Sequence, residues 1–324
     1  MKERFNFIGC LLLFLLTLIT EVGAAKKYSF ERPLMGTKFS IVCYAQNNEV
    51  AEKAVEKAFS KAEAINEAAS DYLPKSELSR LASHPINTPI QLSPMLYELL
   101  DNARRLAEAT GGAYDPTLGP LTKLWRETRA SGRLPDAEKL AAARAASGWR
   151  HFTLDAKARK ITLLHKGMAF DLGGIAKGYA ADLMLESLAF AGIRQALITA
   201  GGDIRLGDPP PGRAGWNVAL KTFDTHKNDE ILTLSNAAVS TSGDLHQSVE
   251  IEGIYYSHIL DPATGLGLTS RVAASVIATE AKLSDALATA VCVGDADEVD
   301  SIRKLPGVRE VKVHQPHVAK PEDS

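Results

Sequence analysis

Residues 170–182, Phe170-Asp171-Leu172-Gly173-Gly174-Ile175-Ala176-Lys177-Gly178-Tyr179-Ala180-Ala181-Asp182, constrain the fold of this chain more than any other stretch. An acid ends an extended segment, two glycines follow, and a lysine then sits in the first turns of an Ala- and Leu-rich run that reads as a helix. A Gly-Gly turn lets backbone N–H groups approach a ligand closely, and a helix N-terminus favours negative charge. Lys177 adds a full cation, so the segment suits a phosphate. It is not a Walker A loop, because Gly178 rather than Ser or Thr follows Lys177, and its glycine spacing is not that of the dinucleotide fingerprint. By itself the signal is weak, since Gly-Gly before a helix is usually just a turn.

The N-terminus reads as an export signal. Lys2 and Arg4 precede a nearly unbroken apolar run from Phe5 to Thr20, too short to match a membrane span of about 20 apolar residues. Small residues at Val22-Gly23-Ala24-Ala25 suit a signal peptidase, whereas an uncleaved anchor is the competing reading. Cys10 lies before the apolar core, not after it, which argues against lipid attachment. The expected organisation is a signal peptide over residues 1–24, one domain over 25–314 and a disordered tail over 315–324, with the protein periplasmic or peripheral to the inner membrane. The formal charge of −2 and the absence of a basic cluster interleaved with aromatics give no footing for nucleic acid. Cys43 and Cys292 sit in apolar surroundings and read as two buried thiols, although an oxidising compartment permits a disulfide; no CxxC is present.

Along the chain, Lys27–Glu31 and Thr37–Ala45 read as strands around a turn. Residues 49–70 read as a helix on the spacing of Val50, Ala54, Ala58, Ala62, Ile65 and Ala69. Ser93-Pro94 opens a second helix and Gly111-Gly112 closes it; Asp136–Ala146 is a third. Residues 151–164 read as a hairpin. Strand-like runs follow the Gly-Gly helix at Ala196–Thr199, Trp216–Lys221, Ile231–Leu234, Ala238–Thr241, Tyr255–Ile259 and Val272–Ala278, then a helix over Ala281–Val293 and a last strand over Arg309–Val313. Strands grouped in runs with helices between the groups predict an α+β fold.

Asp285 and Thr289 lie four apart, on one face of a helix that is otherwise Ala, Leu and Val nearly all round. A buried Asp needs a partner, and a carboxylate beside a hydroxyl suits a hard cation such as Mg²⁺. The plain alternative is a polar stripe, or a Thr bonding back to a helix carbonyl. His258 ends a strand before Asp261-Pro262, where it suits a phosphate or a proton-transfer role, or serves only structure. Tyr114-Asp115-Pro116 follows the Gly111-Gly112 stop in a similar way, and Asp-Pro turns are common as structure alone.

The combination is more specific than its parts. Met35-Gly36-Thr37, Ala113-Tyr114-Asp115-Pro116-Thr117, Asp171 to Gly178, Gly201-Gly202-Asp203, Thr241-Ser242-Gly243, His258 to Pro262 and Asp285 to Ala290 occur in this order. Together they resemble the ApbE family, the FAD:protein FMN transferases, over about Tyr28 to about Val313. That resemblance implies a single T-fold-like α+β unit that moves FMN from FAD onto a Thr or Ser hydroxyl of a target protein with Mg²⁺, releasing AMP. By the same resemblance, Met35, Tyr72, Ala113, Tyr114, Asp115, Asp171, Lys177 and His258 contact FAD, and the Gly174 carbonyl, Asp285 and Thr289 hold the metal. It also implies acceptors among flavoprotein subunits, membrane redox complexes included. One departure is Lys282, where some members carry a second acid, so the metal is expected to rely more on water and phosphate oxygens.

In that mechanism Mg²⁺ on Asp285 and Thr289 neutralises the pyrophosphate, and Lys177 with the Gly173-Gly174 amides adds positive potential. The target hydroxyl attacks the FMN-side phosphorus in line, and His258 either takes its proton or binds phosphate. Tyr72 is placed to stack on a cofactor ring. Two other readings use the same residues: a Mg²⁺-dependent FAD pyrophosphatase, in which water replaces the hydroxyl, and a non-catalytic periplasmic flavin-binding protein. The Asp285–Thr289 pair speaks against the last, since binding alone needs no metal at the phosphates.

Overall fold

The computed structural model describes residues 25–220, 230–243 and 248–314. The expected signal peptide and the C-terminal tail lie outside the described residues. Lys26–Leu34 (β1) and Thr37–Ala45 (β2) form the first hairpin, followed by the helices Asn48–Ala69 (α1) and Glu77–Leu81 (α2). The strand Ile90–Gln91 (β3) precedes three helices, Pro94–Ala109 (α3), Gly119–Ser131 (α4) and Ala137–Ala146 (α5). A hairpin of Phe152–Asp155 (β4) and Lys160–Leu163 (β5) leads to the helix Ala176–Phe190 (α6). Then come Ala196–Ala200 (β6), Asp203–Leu206 (β7), Trp216–Leu220 (β8), Glu230–Leu234 (β9), Ala237–Gly243 (β10), Ser248–Ile251 (β11), Ile254–Ser257 (β12) and Ala273–Ala278 (β13). Two helices, Ala281–Val293 (α7) and Ala296–Arg303 (α8), and the strand Val308–His314 (β14) end the described chain.

The α+β expectation is met by a seven-stranded sheet in the order β1-β2-β6-β7-β10-β13-β14. Every neighbouring pair in it is antiparallel. The principal core joins residues of this sheet to α1, α3, α6 and α7: Phe39, Ile41, Phe59, Ile65, Met184, Leu188 and Leu287 are all buried in it. A second core sits under the β8–β9 ribbon, where Trp216, Val218 and Leu220 pack with Leu206, Val239 and Ile277. Alternate residues along each strand therefore serve the two faces.

The inward face of α1 is offset from the expected one. Ala54, Ala58, Ala62, Ile65 and Ala69 are buried, but Val50 is 39% exposed and Ala51, Val55 and Phe59 complete the stripe. Val50 lies in the first turn, where its N–H bonds the capping Asn47 side chain, and it faces outward while its neighbour Ala51 is buried. The strand expected over Tyr255–Ile259 ends at Ser257, so His258 follows the strand and does not end it. Ser93 caps its helix as expected, accepting from Leu96 N–H, whereas Asp136, expected as the first helical residue, is the cap of α5 and accepts from Glu138 and Lys139 N–H. Cys43 and Cys292 are both buried and form no disulfide.

Tight turns bring several loops to one end of the sheet. Met35 and Gly36 both have positive φ, 50° and 71°, the geometry of a two-residue hairpin turn that follows the strand twist. Phe39 pairs with Ala200, so this turn lies beside the two-residue Gly201-Gly202 turn joining β6 to β7. The end of β10 and the start of β13 meet there as well, since Gly243 pairs with Ala273.

Candidate active site

Two helix N-termini meet beside the Gly201-Gly202 turn. Gly178 is the reason they can: a Cβ there would stand 2.2 Å from the Ala281 carbonyl oxygen, so only glycine lets α6 lie against the start of α7. Neither helix carries a side-chain cap of its own, the N-cap positions being Ile175 and Glu280. Each takes its cap from the other. Asp182 accepts the N–H groups of Ala281 and Lys282, both at 2.9 Å, and Asp285 accepts Gly178 N–H at 3.1 Å.

Asp285 is 3% exposed and does not stand alone. Asp203, at the first position of β7 and equally buried, faces the same point. The Lys177 ammonium lies between them, 3.3 Å from both Asp285 oxygens and 3.3 Å from Asp203 Oδ2, and donates to the Gly173 carbonyl at 2.9 Å. Two buried carboxylates thus face one ammonium. Burial and the neighbouring Asp203 push the Asp285 carboxyl up to about 7, against the opposing pull of Lys177 and the Gly178 amide. Burial acts to lower the Lys177 pKa, but Asp203 and Asp285 outweigh it and hold the group protonated.

Thr289, one turn after Asp285, sits 3.2 Å from the Ser242 hydroxyl of β10, while Ser240 and Ser284 bond at 2.8 Å. A Cβ on Gly174 would lie 3.5 Å from Thr289 Oγ1 and 3.4 Å from the Tyr114 ring, so Gly174, Thr289 and Tyr114 share one small space. Burial, followed by the charges of Asp285, Asp171 and Asp115, raises the Tyr114 hydroxyl well above its ordinary value, which keeps it a proton donor. That hydroxyl has no hydrogen-bond partner among the described residues.

The donors gathered here are all oxygen: the Asp285 and Asp203 carboxylates, the Thr289 hydroxyl and the backbone at Gly174. No third His, Cys, Asp or Glu joins a metal-binding group among the described residues. Asp203 Oδ2 is buried and makes no hydrogen bond among the described residues. A hard-oxygen set with an excess of buried negative charge fits a cation such as Mg²⁺. Lys282 turns away to Glu280, 2.9 Å off, and adds nothing to the set.

The other expected residues are distributed around this centre. Asp171 accepts the Gly173 N–H at 2.8 Å and the Thr122 hydroxyl at 2.7 Å, so the Gly173 amide is already occupied. The Asp115 carboxylate is taken up by Thr117 N–H, its hydroxyl and Trp149 N–H, which folds the 113–117 loop against the helical layer. Tyr72 is 72% exposed with the Arg126 guanidinium 3.9 Å from its ring centre, and Arg126 pairs with Asp71 at 2.6 Å. Helix α4 joins these parts: Thr122 holds Asp171, Arg126 backs Tyr72, and Trp125 donates to the Ser257 carbonyl just before His258. His258 itself is half-buried. Met35 stands at the β1–β2 turn, next to Thr37, whose side chain closes over Gly201.

Sequence reasoning missed Asp203 as a site residue, although Gly201-Gly202-Asp203 was among the quoted motifs. The available signal was that an acid directly after a Gly-Gly hairpin turn starts a strand whose neighbours are apolar. It also missed α4, which opens on Gly119-Pro120 with no side-chain cap.

Comparison with known proteins finds one family over most of the chain. A model of the ApbE family matches residues 35–311. The FAD:protein FMN transferase of Vibrio cholerae serotype O1 is 32% identical over 278 residues, covering 83% of this chain and 82% of that protein. The enzyme of the same name from Treponema pallidum is 30% identical over 303 residues, covering 87% and 83%. Among solved structures, the apo form of the Pseudomonas stutzeri flavinyl transferase ApbE superposes with a TM-score of 0.78 at 26% identity, covering 90% of this chain and 96% of that one. The ApbE protein from Thermotoga maritima gives 0.77 at 30% identity, covering 86% and 90%.

Proposed function

The chain belongs to the ApbE family, and from that premise we propose that it transfers FMN from FAD to a Thr or Ser hydroxyl of a target flavoprotein, releasing AMP. The observation that carries the reading is the buried pair Asp203 and Asp285 around Lys177, set where two helix N-termini and the Thr289 hydroxyl converge. With a cation on it, such an oxygen-rich cluster would suit a doubly charged pyrophosphate.

In the transfer the acceptor oxygen attacks the FMN-side phosphorus. The bond from that phosphorus to the bridging oxygen breaks, and AMP leaves with the oxygen. Asp285, Thr289 and the Gly174 carbonyl would hold Mg²⁺, which when bound supplies Lewis-acid neutralisation of the pyrophosphate. Lys177 contributes a fixed positive charge beside it. The unpartnered Tyr114 hydroxyl offers a donor to a phosphate oxygen in the same space. His258 is the candidate to take the acceptor proton, since an imidazole titrates near neutral pH. Tyr72, one face covered by Arg126, offers its other face to a cofactor ring. Asp171 fixes the Gly173-Gly174 turn, and the Ala113–Asp115 loop lies against it through Tyr114.

The basic start and apolar run at Phe5–Thr20 support export, which makes proteins of the periplasm and the outer face of the inner membrane the acceptors. The test is incubation of the purified mature protein with FAD, Mg²⁺ and candidate flavoprotein subunits, followed by in-gel flavin fluorescence and assay of AMP. Fluorescence that stays with the acceptor through denaturation supports transfer. FMN and AMP released with no labelled acceptor would identify a pyrophosphatase instead.

A further inference from the structure

The position of Lys177 is unusual for a residue expected to meet phosphate, because its ammonium is already committed to protein carboxylates. It is 3.3 Å from both oxygens of Asp285, the only charged side chain among the expected metal ligands. It is also 3.3 Å from Asp203 Oδ2, yet that oxygen forms no hydrogen bond and is buried. A buried carboxylate oxygen 3.3 Å from an ammonium but not aligned with it for a hydrogen bond is under-satisfied. Its better partner is the same ammonium, brought closer. The ammonium is held on a flexible stem about a quarter exposed, and its third contact is a neutral carbonyl, Gly173 O.

We infer that Asp203 is a positioning residue for Lys177, and that Lys177 is a tethered counter-ion which occupies the Asp285 carboxylate until a divalent cation displaces it. This rests on the reading of Asp285 as a metal ligand. A cation on Asp285 repels an ammonium a few ångströms away. Asp203 receives the displaced group, completing its own hydrogen bonding, and keeps Lys177 beside the pyrophosphate rather than letting it swing into solvent. The arrangement keeps two buried carboxylates from standing unscreened. It also links filling of the site to release of Lys177.

The consequence is a pair of opposite effects. Lys177→Gln keeps a donor for Gly173 O but removes the competing charge. It should bind Mn²⁺, followed by electron paramagnetic resonance on FAD-free protein, about tenfold more tightly, the scale expected for one like charge at this range in a partly hydrated site. The same variant should transfer FMN poorly. Asp203→Asn removes the second anchor, leaves the ammonium on Asp285 and should weaken Mn²⁺ binding several-fold. In the double variant the Asp203 effect should vanish, since there is no ammonium left to position.

In the unmutated protein, the ¹³Cε resonance of Lys177, assigned by its absence from Lys177→Gln, should shift on Mg²⁺ titration. This reading survives even if Asp203→Asn folds poorly. Weaker Mn²⁺ binding in Lys177→Gln would overturn the inference, as would an equal loss from Asp203→Asn with and without Lys177, which would make Asp203 itself a ligand. Failure of the unmutated protein to bind Mn²⁺ at all would overturn the metal assignment along with it. Normal binding that ignores Lys177 would overturn only this inference and leave the transferase reading intact.

Discussion

Asp182 and Asp285 cap each other's helices: Asp182 of α6 holds the first two amides of α7, and Asp285 of α7 holds the third amide of α6. One of the two is locked in structure, because Asp182 also pairs with Arg205 at 2.7 Å. The other is exposed to the site's chemistry through Lys177. The position of Asp285 thus depends on a bond made 103 residues away at Asp182.

Asp182→Ala should therefore be costly. It removes the cap of α7 and leaves the largely buried Arg205 without its carboxylate. Losses of about 1 kcal/mol for the cap and about 3 for the orphaned charge predict a destabilisation of roughly 3–4 kcal/mol. Asp182→Asn, which keeps an acceptor but not the charge, should fall between this variant and the unmutated protein. Urea unfolding of the three proteins measures this, and a change below about 1 kcal/mol for Asp182→Ala would contradict the capping argument.

Asp285→Ala should abolish transfer while leaving the protein folded, and excess Mg²⁺ should not rescue it. Asp285 is the one charged side chain proposed to hold the metal, and Ala suits a helix already rich in Ala. Thr289→Ala should be milder, because water replaces a neutral ligand and Ser242 loses only a 3.2 Å hydroxyl contact. A Mg²⁺ titration of both variants, with circular dichroism as the folding control, checks the order. Full activity in a folded Asp285→Ala protein would remove the metal assignment.

The raised pKa of Asp285 makes the cation-free protein sensitive to pH. Its carboxyl moves from 3.8 to about 7 on folding, mainly through burial. A group that binds its proton more tightly when folded contributes stability that is complete below its unfolded pKa and lost as the pH rises through its folded one. Without divalent cations, the melting temperature should fall between about pH 4 and pH 7 more steeply than in Asp285→Asn. Saturating Mg²⁺ should flatten that fall, since a cation stabilises the ionised form. Thermal melts across pH with chelator and with Mg²⁺ check both halves. Identical slopes in the unmutated and Asp285→Asn proteins would contradict it.

What was legible in the sequence follows from how local each signal is. The Asp285–Thr289 pair was readable because its spacing is that of one helical turn, and the surrounding Ala and Leu announce burial. Ser93-Pro94 was readable because a cap acts within three residues. Asp203 was not, because its meaning comes from Lys177, 26 residues earlier, and Asp285, 82 residues later. Helix α4 escaped notice because Leu118 supplies no capping side chain, and its apolar face, Leu121 and Trp125, packs on Tyr256 and Leu260 far along the chain. The role of Asp115 was only half visible. Its turn was evident, but its engagement with Trp149 depends on tertiary contact.

Gly178 provides the sharpest test of how the site is assembled. It lies in the first turn of α6, where helix propensity alone favours Ala over Gly by up to about 1 kcal/mol. The packing argues the other way. An added Cβ would stand 2.2 Å from the Ala281 oxygen, 2.5 Å from its carbonyl carbon and 2.8 Å from the Lys282 nitrogen, all backbone atoms. Backbone cannot rotate aside as a side chain does, so the two helices must separate. Separation lengthens the Gly178 N–H bond to Asp285 and both Asp182 bonds at once, and overpacking of this kind costs about 1–3 kcal/mol before those losses are counted. Gly178→Ala should therefore be destabilised by about 2 kcal/mol or more, against the sign of its helix propensity. It should also need more Mg²⁺ for half-maximal transfer, because Asp285 shifts away from Gly174. Urea unfolding and a Mg²⁺ titration of the same preparation measure the two effects. A Gly178→Ala protein as stable as the unmutated one would show that α6 and α7 do not meet where the structure places them.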